Sequence, residues 1–190
     1  MPSRRAHAAV RSSWAHAIAH NGQVNSNTPM TTLRPMPPSA FAAYRLASAT
    51  GYAHDNVAAG RWPADGALDR AIADFDDSLP QGLHTPDHQV HQIVDEASGT
   101  VVGVLWFALV VKNGLRSAFV YDVEVQPEWR RRGHARAAFV ALEPLVQALG
   151  LDSIGLHVFG HNPAAQALYQ ALGYGVTGIN MRKALGGRPG

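Results

Sequence analysis

The chain has 190 residues, enough for one domain with a full core, or one domain plus a tail. Hydrophobic residues make up 46% and charged residues 16%, the balance of a folded soluble globule rather than a disordered chain. There is no cysteine, which excludes disulfides, thiolate metal sites and a cysteine nucleophile, and fits a reducing cytoplasm. The pI of about 9.2 invites a nucleic-acid reading. The basic charge, however, sits in residues 1–29, which carry Arg4, Arg5 and Arg11 and no acid. The net charge of the whole chain is only +2, so residues 30–190 are slightly acidic on balance and nucleic-acid binding is disfavoured. The longest apolar run, residues 101–111, is too short to cross a bilayer and is interrupted by Gly103, so no membrane segment is expected.

Residues 1–29 differ in composition from the rest of the chain and are expected to be a poorly ordered extension. Residues 6–18 can form a weak amphipathic helix. An Arg-rich, acid-free start is also the composition of an organelle transit peptide, and Met30 is an alternative start. No continuous apolar stretch of a secretory signal is present there. The body, residues 30–190, opens with a short strand at 33–36 and a helical region holding Phe41, Tyr44, Leu46 and Tyr52 among small residues. A second helix spans about 63–76, with Leu68, Ile72 and Phe75 on one face. Residues 79–83 read as a loop. Strands follow at 89–95 and 100–111, paired as a hairpin through Ser98-Gly99. After the turn signal Asn113-Gly114 comes a strand at 118–125. Its alternation places Phe119, Tyr121, Val123 and Val125 on one face and Asp122 and Glu124 on the other.

A long helix is expected at 133–149, with Phe139, Leu142, Val146 and Leu149 buried and a kink or break at Pro144. A strand at 153–159 leads into a helix at 163–172. That helix is punctuated by Asn162 as N-cap, Pro163 at its first position and Gly173 past its end. Ala165, Leu168 and Leu172 form its apolar stripe, with Tyr169 beside it. Residues 174–182 read as a last strand. The layout is a mostly antiparallel sheet with helices packed on it, an α/β class of the α+β type. The ten histidines are scattered. His84, His88 and His91 come nearest to a ligand set, but surface or structural roles are expected of them and no metal site is assigned.

Two stretches carry chemistry. The first runs from Val123 to Ala137, where a strand ends near Pro127, a basic turn follows, and a helix starts at a glycine. The first N–H groups of a helix lack internal partners, and the helix dipole adds about half a positive charge there. A phosphate fits such a place, and Gly133 and Ala135 let an anion approach the backbone closely. Arg130, Arg131 and Arg132 add positive charge. A solvated basic turn accounts for this stretch equally well when it is taken alone. The second stretch, Leu156 to Tyr174, pairs a strand with the short capped helix.

Together these stretches resemble the GNAT superfamily of N-acetyltransferases. The first matches that family's acyl-CoA loop as Arg130-x-x-Gly133-x-Ala135, and the second its later motif as Asn162, Ala165, Leu168, Tyr169 and Gly173-Tyr174. The two stand in order, about thirty residues apart. The resemblance covers roughly residues 31–185 and implies a GNAT-like mixed sheet flanked by helices. It further implies acetyl transfer from acetyl-CoA, as acyl-donor cosubstrate, to a primary amine by direct attack in a ternary complex. Backbone groups of Val123 and Val125 would pair with the pantetheine arm, and the N–H groups of Arg131, Arg132, Gly133, His134 and Ala135 would hold the pyrophosphate. Asn162 would bond the cosubstrate and Tyr169 would protonate the leaving thiolate. His134 stands where the family usually has an apolar residue, and Arg131 where it often has glycine.

Glu124 is the candidate base for the acceptor amine and Asp122 the second candidate. Asp74, Asp76 and Asp77 are candidates to attract a cationic acceptor, though a solvated helix end is the simpler account. Trp62 and Trp106 are candidate pocket residues with a core role as the default. Family members often dimerise, so a homodimer is possible. The competing function from another class is a non-catalytic acetyl-CoA-binding module, and within the enzyme class a different acyl group is open.

Overall fold

The computed structural model describes residues 30–181 and residue 183. The expectations for residues 1–29 lie outside the described residues. Among the described residues five strands form one sheet in the order β1-β2-β3-β4-β5: β1 (Thr31–Pro35), β2 (His88–Asp95), β3 (Thr100–Lys112), β4 (Leu115–Val125) and β5 (Ile154–Leu156). Neighbours pair antiparallel except β4 and β5, which run parallel. Among the described residues four α-helices accompany the sheet: α1 (Pro38–Ala58), α2 (Ala67–Ser78), α3 (His134–Ala148) and α4 (Pro163–Ala171). Among the described residues no helix is long and apolar enough to cross a membrane.

The sheet is covered on both faces. The main core joins Ile93, Leu105, Phe107 and Val120 of the sheet to Ala138, Phe139, Leu142 and Val146 of α3 and to Tyr169 of α4. A second core joins Val90 and Trp106 to Tyr44 of α1 and Phe75 of α2. α1 and α2 meet through alanines, Ala49 and Ala53 against Ala67 and Ala71. Small side chains let two helices approach closely, which is why α1 can be long yet weakly amphipathic in sequence.

Several expectations change. α2 starts at Ala67 rather than near Pro63, and its buried residues are Ala67, Ala71 and Phe75. Leu68 is exposed, because the close contact with α1 selects the alanine face over the leucine. α3 runs unbroken through Pro144, whose ring removes the hydrogen bond to the carbonyl of residue 140. Val140 is exposed, so water can serve that carbonyl. Leu149 is also exposed and caps the helix instead of packing beneath it. In α4 the most buried residue is Tyr169 itself, while Ala165, Leu168 and Leu172 are half-buried around it. β5 has only three residues, and the described part of 174–182 forms no strand. Gly175 and Gly178 weaken strand propensity there, and Val176, Ile179 and Met181 are exposed.

The largest correction concerns β4. Trp106 faces Asp122, but the next residue of β3, Phe107, faces Val120. Tyr121 is therefore an extra residue, a β-bulge that reverses the alternation. Ala118 and Val120 before the bulge, and Val123 and Val125 after it, all pack on the main core. Tyr121 instead stacks on Trp106, with ring centroids 4.8 Å apart, and Phe119 meets Tyr121 edge-on. Asp122 and Glu124 do share the opposite face, toward α1. β5 pairs with β4 only over Ala118, Phe119 and Val120, so the two strands part at the bulge.

Gly103 of β3 sits opposite Val125 in this region. A Cβ there would collide with the Glu124 carbonyl oxygen and lie 3.1 Å from the Val125 Cα. Gly103→Ala is expected to destabilise the fold by about 1–3 kcal/mol through overpacking against backbone, read as a lower midpoint in urea unfolding.

Candidate active site

Where β4 and β5 part, a cleft of about 1380 Å³ opens. β4 lines it from Phe119 to Val125, and residues Leu156 to Phe159 line it from the β5 side. α1 contributes Ser48, Tyr52 and Asp55, and α4 with its cap contributes Asn162, Ala165 and Tyr169. The cleft thus collects Glu124, Val123, Val125, Arg130, Asn162 and Tyr169, candidates from two separate stretches of sequence.

The turn after β4 is built by two left-handed residues. Arg131 has φ 62° and Gly133 has φ 92°. An L-residue at such a φ carries a strain that glycine avoids, so Arg131 occupies a position suited to glycine. Gly133 is the N-cap of α3 and has no side chain to occupy the first helical N–H groups. Those donors remain available to an anion, with Arg131 and Arg132 around them. Arg132 lies over the Trp129 ring, 4.8 Å from its centroid. Arg130 turns back on β4: its Nε donates to the Val125 carbonyl at 2.8 Å, and Nη2 lies 3.5 Å from Glu124 Oε1. The His134 side chain is 2% exposed and bonds Thr31 Oγ1 through Nδ1 at 3.0 Å. It faces the core rather than solvent or a phosphate, so only its backbone belongs to the turn.

Asn162 caps α4 as its sequence position predicts, with Oδ1 accepting from the Ala165 N–H at 3.1 Å. That leaves the amide nitrogen as its donor toward the cleft. Tyr169 packs edge-on against Phe139 at 5.3 Å and beside Tyr174 at 5.8 Å. Burial, and then the charge of Asp122, push its phenol above the ordinary value, so it stays protonated at neutral pH.

Asp122 is not a free base. Its Oδ2 accepts from Ser48 Oγ at 2.8 Å and from Tyr44 Oη at 3.1 Å, so two hydroxyls of α1 close around it. Burial nevertheless raises its pKa, against the pull of these hydrogen bonds. Glu124 is half-exposed, and its pKa is raised by burial first and by Asp122 second, more than Arg130 lowers it. A carboxylate moved toward neutrality is a better-matched base than an ordinary one.

Of the acidic trio near α2, Asp76 is paired with Arg45 and its carboxyl is held below the usual range by that partner. Only Asp74 of the three lines the cleft. The acid that does project from α1 is Asp55, which sequence reading missed along with Tyr44, Ser48, Arg61 and His157. None of these carries a local signal, because each matters only through a distant partner. Trp106 lines the cleft from the second core, where its Nε1 donates to His88 Nδ1 at 3.0 Å. Trp62 is engaged with Tyr52 and Arg70 outside it. His91 is buried and stacked on Phe107.

The chain matches the Acetyltransferase (GNAT) family over residues 56–174. It is 33% identical to the uncharacterized N-acetyltransferase YycN of Bacillus subtilis, over 80% of this chain and 97% of that one. A second Bacillus subtilis N-acetyltransferase, YdgE, also uncharacterized, is 31% identical over 81% of this chain and 98% of its own length. The crystal structure of YycN superposes with a TM-score of 0.77, covering 82% of this chain and 98% of that one. The fold extends to the aminoglycoside acetyltransferase AAC(6')-Iy, solved with a bisubstrate analogue, CoA-S-monomethyl-acetylneamine. There the TM-score is 0.54 at 20% identity, with 82% of this chain and 99% of that one covered. With two motifs in order, a sheet that parts at a bulged fourth strand, and relatives matched over most of their length, the chain belongs to the GNAT family and is an N-acetyltransferase.

Proposed function

We propose that the chain transfers the acetyl group of acetyl-CoA to a primary amine by direct attack within a ternary complex. The observation that supports this best is the meeting, in one cleft, of the bulged end of β4, Asn162 and Tyr169, with Arg130, which leads into the open turn before α3, at its edge; residues 131–135 of that turn do not line it. The pyrophosphate of the donor would take the N–H groups of residues 131–135, and its extended arm would lie along the part of β4 that β5 leaves unpaired. The Asn162 amide nitrogen would donate to the arm. A backbone N–H near Val125 would polarise the thioester carbonyl.

An alkylamine is mostly protonated at neutral pH and must lose a proton before it attacks. Glu124 takes that proton, directly or through water. The amine lone pair then adds to the thioester carbon, forming the C–N bond. The nitrogen of the tetrahedral intermediate gives its remaining extra proton to water, the C–S bond breaks as the intermediate collapses, and the Tyr169 hydroxyl donates a hydrogen bond to the departing sulfur. An ordinary thiol has a pKa of ~8.5 and tyrosine ~10, so complete proton transfer to a thiolate is uphill. The raised pKa of Tyr169 makes it chiefly a hydrogen-bond donor to charge developing on sulfur, with solvent completing the protonation.

Three outcomes test this reading. Gly133→Val forces a branched side chain into a left-handed φ, a cost of ~1–2 kcal/mol at the turn. Calorimetric titration should show acetyl-CoA binding about tenfold weaker in this variant. Tyr169→Phe should lower kcat by ~10²–10³-fold, the range for losing one donor to developing charge, with acetyl-CoA affinity little changed, measured by release of free thiol against a panel of amines. The absence of cysteine means the protein adds no background. Asp122→Asn removes a charge that raises the Glu124 pKa, so Glu124 stays deprotonated to lower pH. The acid limb of kcat/KM should move down, and an unmoved or upward-moving limb would count against Glu124 as the base. Acetyl-CoA binding without turnover of any amine would instead support a binding module.

A further inference from the structure

Two arginines line the cleft, and they are held differently. Arg130 is compensated by the Val125 carbonyl and by Glu124. Arg61, in the loop between α1 and α2, is not. Its guanidinium lies over the Phe159 ring, 4.8 Å from the centroid, and Nη2 donates to His157 Nε2 at 3.3 Å. Among the described residues no carboxylate lies within ion-pair distance of it. Asp55, the acid of α1 that lines the same cleft, faces His161 at 3.5 Å and His54 at 3.7 Å instead. The backbone of Arg61 is anchored as well: its N–H donates to the carbonyl of buried Asn56 at 2.9 Å.

Both partners of the guanidinium orient it without cancelling its charge. An aromatic face attracts a cation through its quadrupole and adds no formal charge. His157 is kept neutral by burial and then by Arg61 itself, and in that state its ring nitrogen can accept the hydrogen bond. A guanidinium presents several N–H groups in a planar fork that matches a carboxylate, and one contact to His157 leaves most of the fork available. The cleft therefore has two poles. Carboxylates of β4, Asp122 and Glu124, line one part, and beside His157 and Phe159, just past β5, stands an oriented cation that no described carboxylate pairs.

Building on the acetyl-transfer reading, we propose that Arg61 is a specificity-determining residue that binds a carboxylate of the acceptor. The acceptor is then an amino-carboxylate, an amino acid or short peptide whose amine reaches Glu124 while its carboxylate docks on Arg61. A polyamine or an aminoglycoside, cationic throughout, would set an ammonium against the guanidinium.

The test uses matched acceptors: amino acids and dipeptides as free acids, the same compounds as carboxamides, and a set of polyamines and aminoglycosides. Each is assayed with acetyl-CoA and the full chain, with wild type and Arg61→Ala side by side. Wild type should favour at least one free acid over its carboxamide by about tenfold to a hundredfold in kcat/KM, the range for a hydrogen bond to a charged group. Arg61→Ala should erase that preference mainly through KM, with acetyl-CoA binding as in wild type. Equal use of acid and amide by wild type, or an equal loss on both in the variant, would overturn the assignment. Acetylation of polyamines or aminoglycosides alone would overturn it while leaving amine acetyl transfer standing. Acetyl-CoA binding with no acceptor acetylated would remove both.

Discussion

One extra residue in β4 controls the geometry of the site. Strand side chains alternate with a period of two, so inserting Tyr121 exchanges the faces of everything after it. Val120 and Val123 can then both pack on the main core, and Asp122 can turn its carboxylate to α1. The same bulge ends the parallel pairing with β5 at Val120 and lets the strands diverge. Without it, β4 and β5 would continue side by side and the cleft would be closed by sheet. Gly103 secures the other edge of the same strand, because only hydrogen fits between β3 and the Glu124 carbonyl.

The second constraint is electrostatic. Asp122 is a half-buried carboxylate, and withdrawing a charge from water is costly unless hydrogen bonds replace the water. Tyr44 and Ser48, one helical turn apart on α1, provide them and so tie α1 to the bulge. The retained charge acts in several directions. It raises the pKa of Glu124, of Tyr169 and of Tyr44. For Glu124 the shift brings a carboxylate nearer to neutrality, and for Tyr169 it secures the protonated state. One positioned charge thus makes Glu124 the stronger base when it is ionised and holds the Tyr169 phenol protonated.

Much of the site was legible because its signals are local. Asn162, Pro163 and Gly173 mark the start and end of α4 by capping chemistry that involves only neighbours in sequence. The glycine at 133 marks the turn before α3 in the same way. The hairpin of β2 and β3 followed from alternation and a turn. Three other expectations rested on periodicity alone and were revised. The faces of β4 depended on a bulge that has no glycine or proline to announce it. The stripe of α2 depended on which face α1 would choose. The last strand depended on a pairing partner that a three-residue β5 does not extend to it.

The sequence by itself determined the strand–turn–helix units, the open helix start with its arginines, and the family to which they point. These are decided by φ preferences, capping and spacing within a few residues. Only the tertiary structure decided the other half of the cleft: Asp122 enclosed by Tyr44 and Ser48, Asp55 facing His161, and Arg61 resting on Phe159 beside His157. Each of those contacts joins residues far apart in the chain. Their chemistry exists only after packing has removed water and set the partners within hydrogen-bonding distance, and no local pattern encodes that.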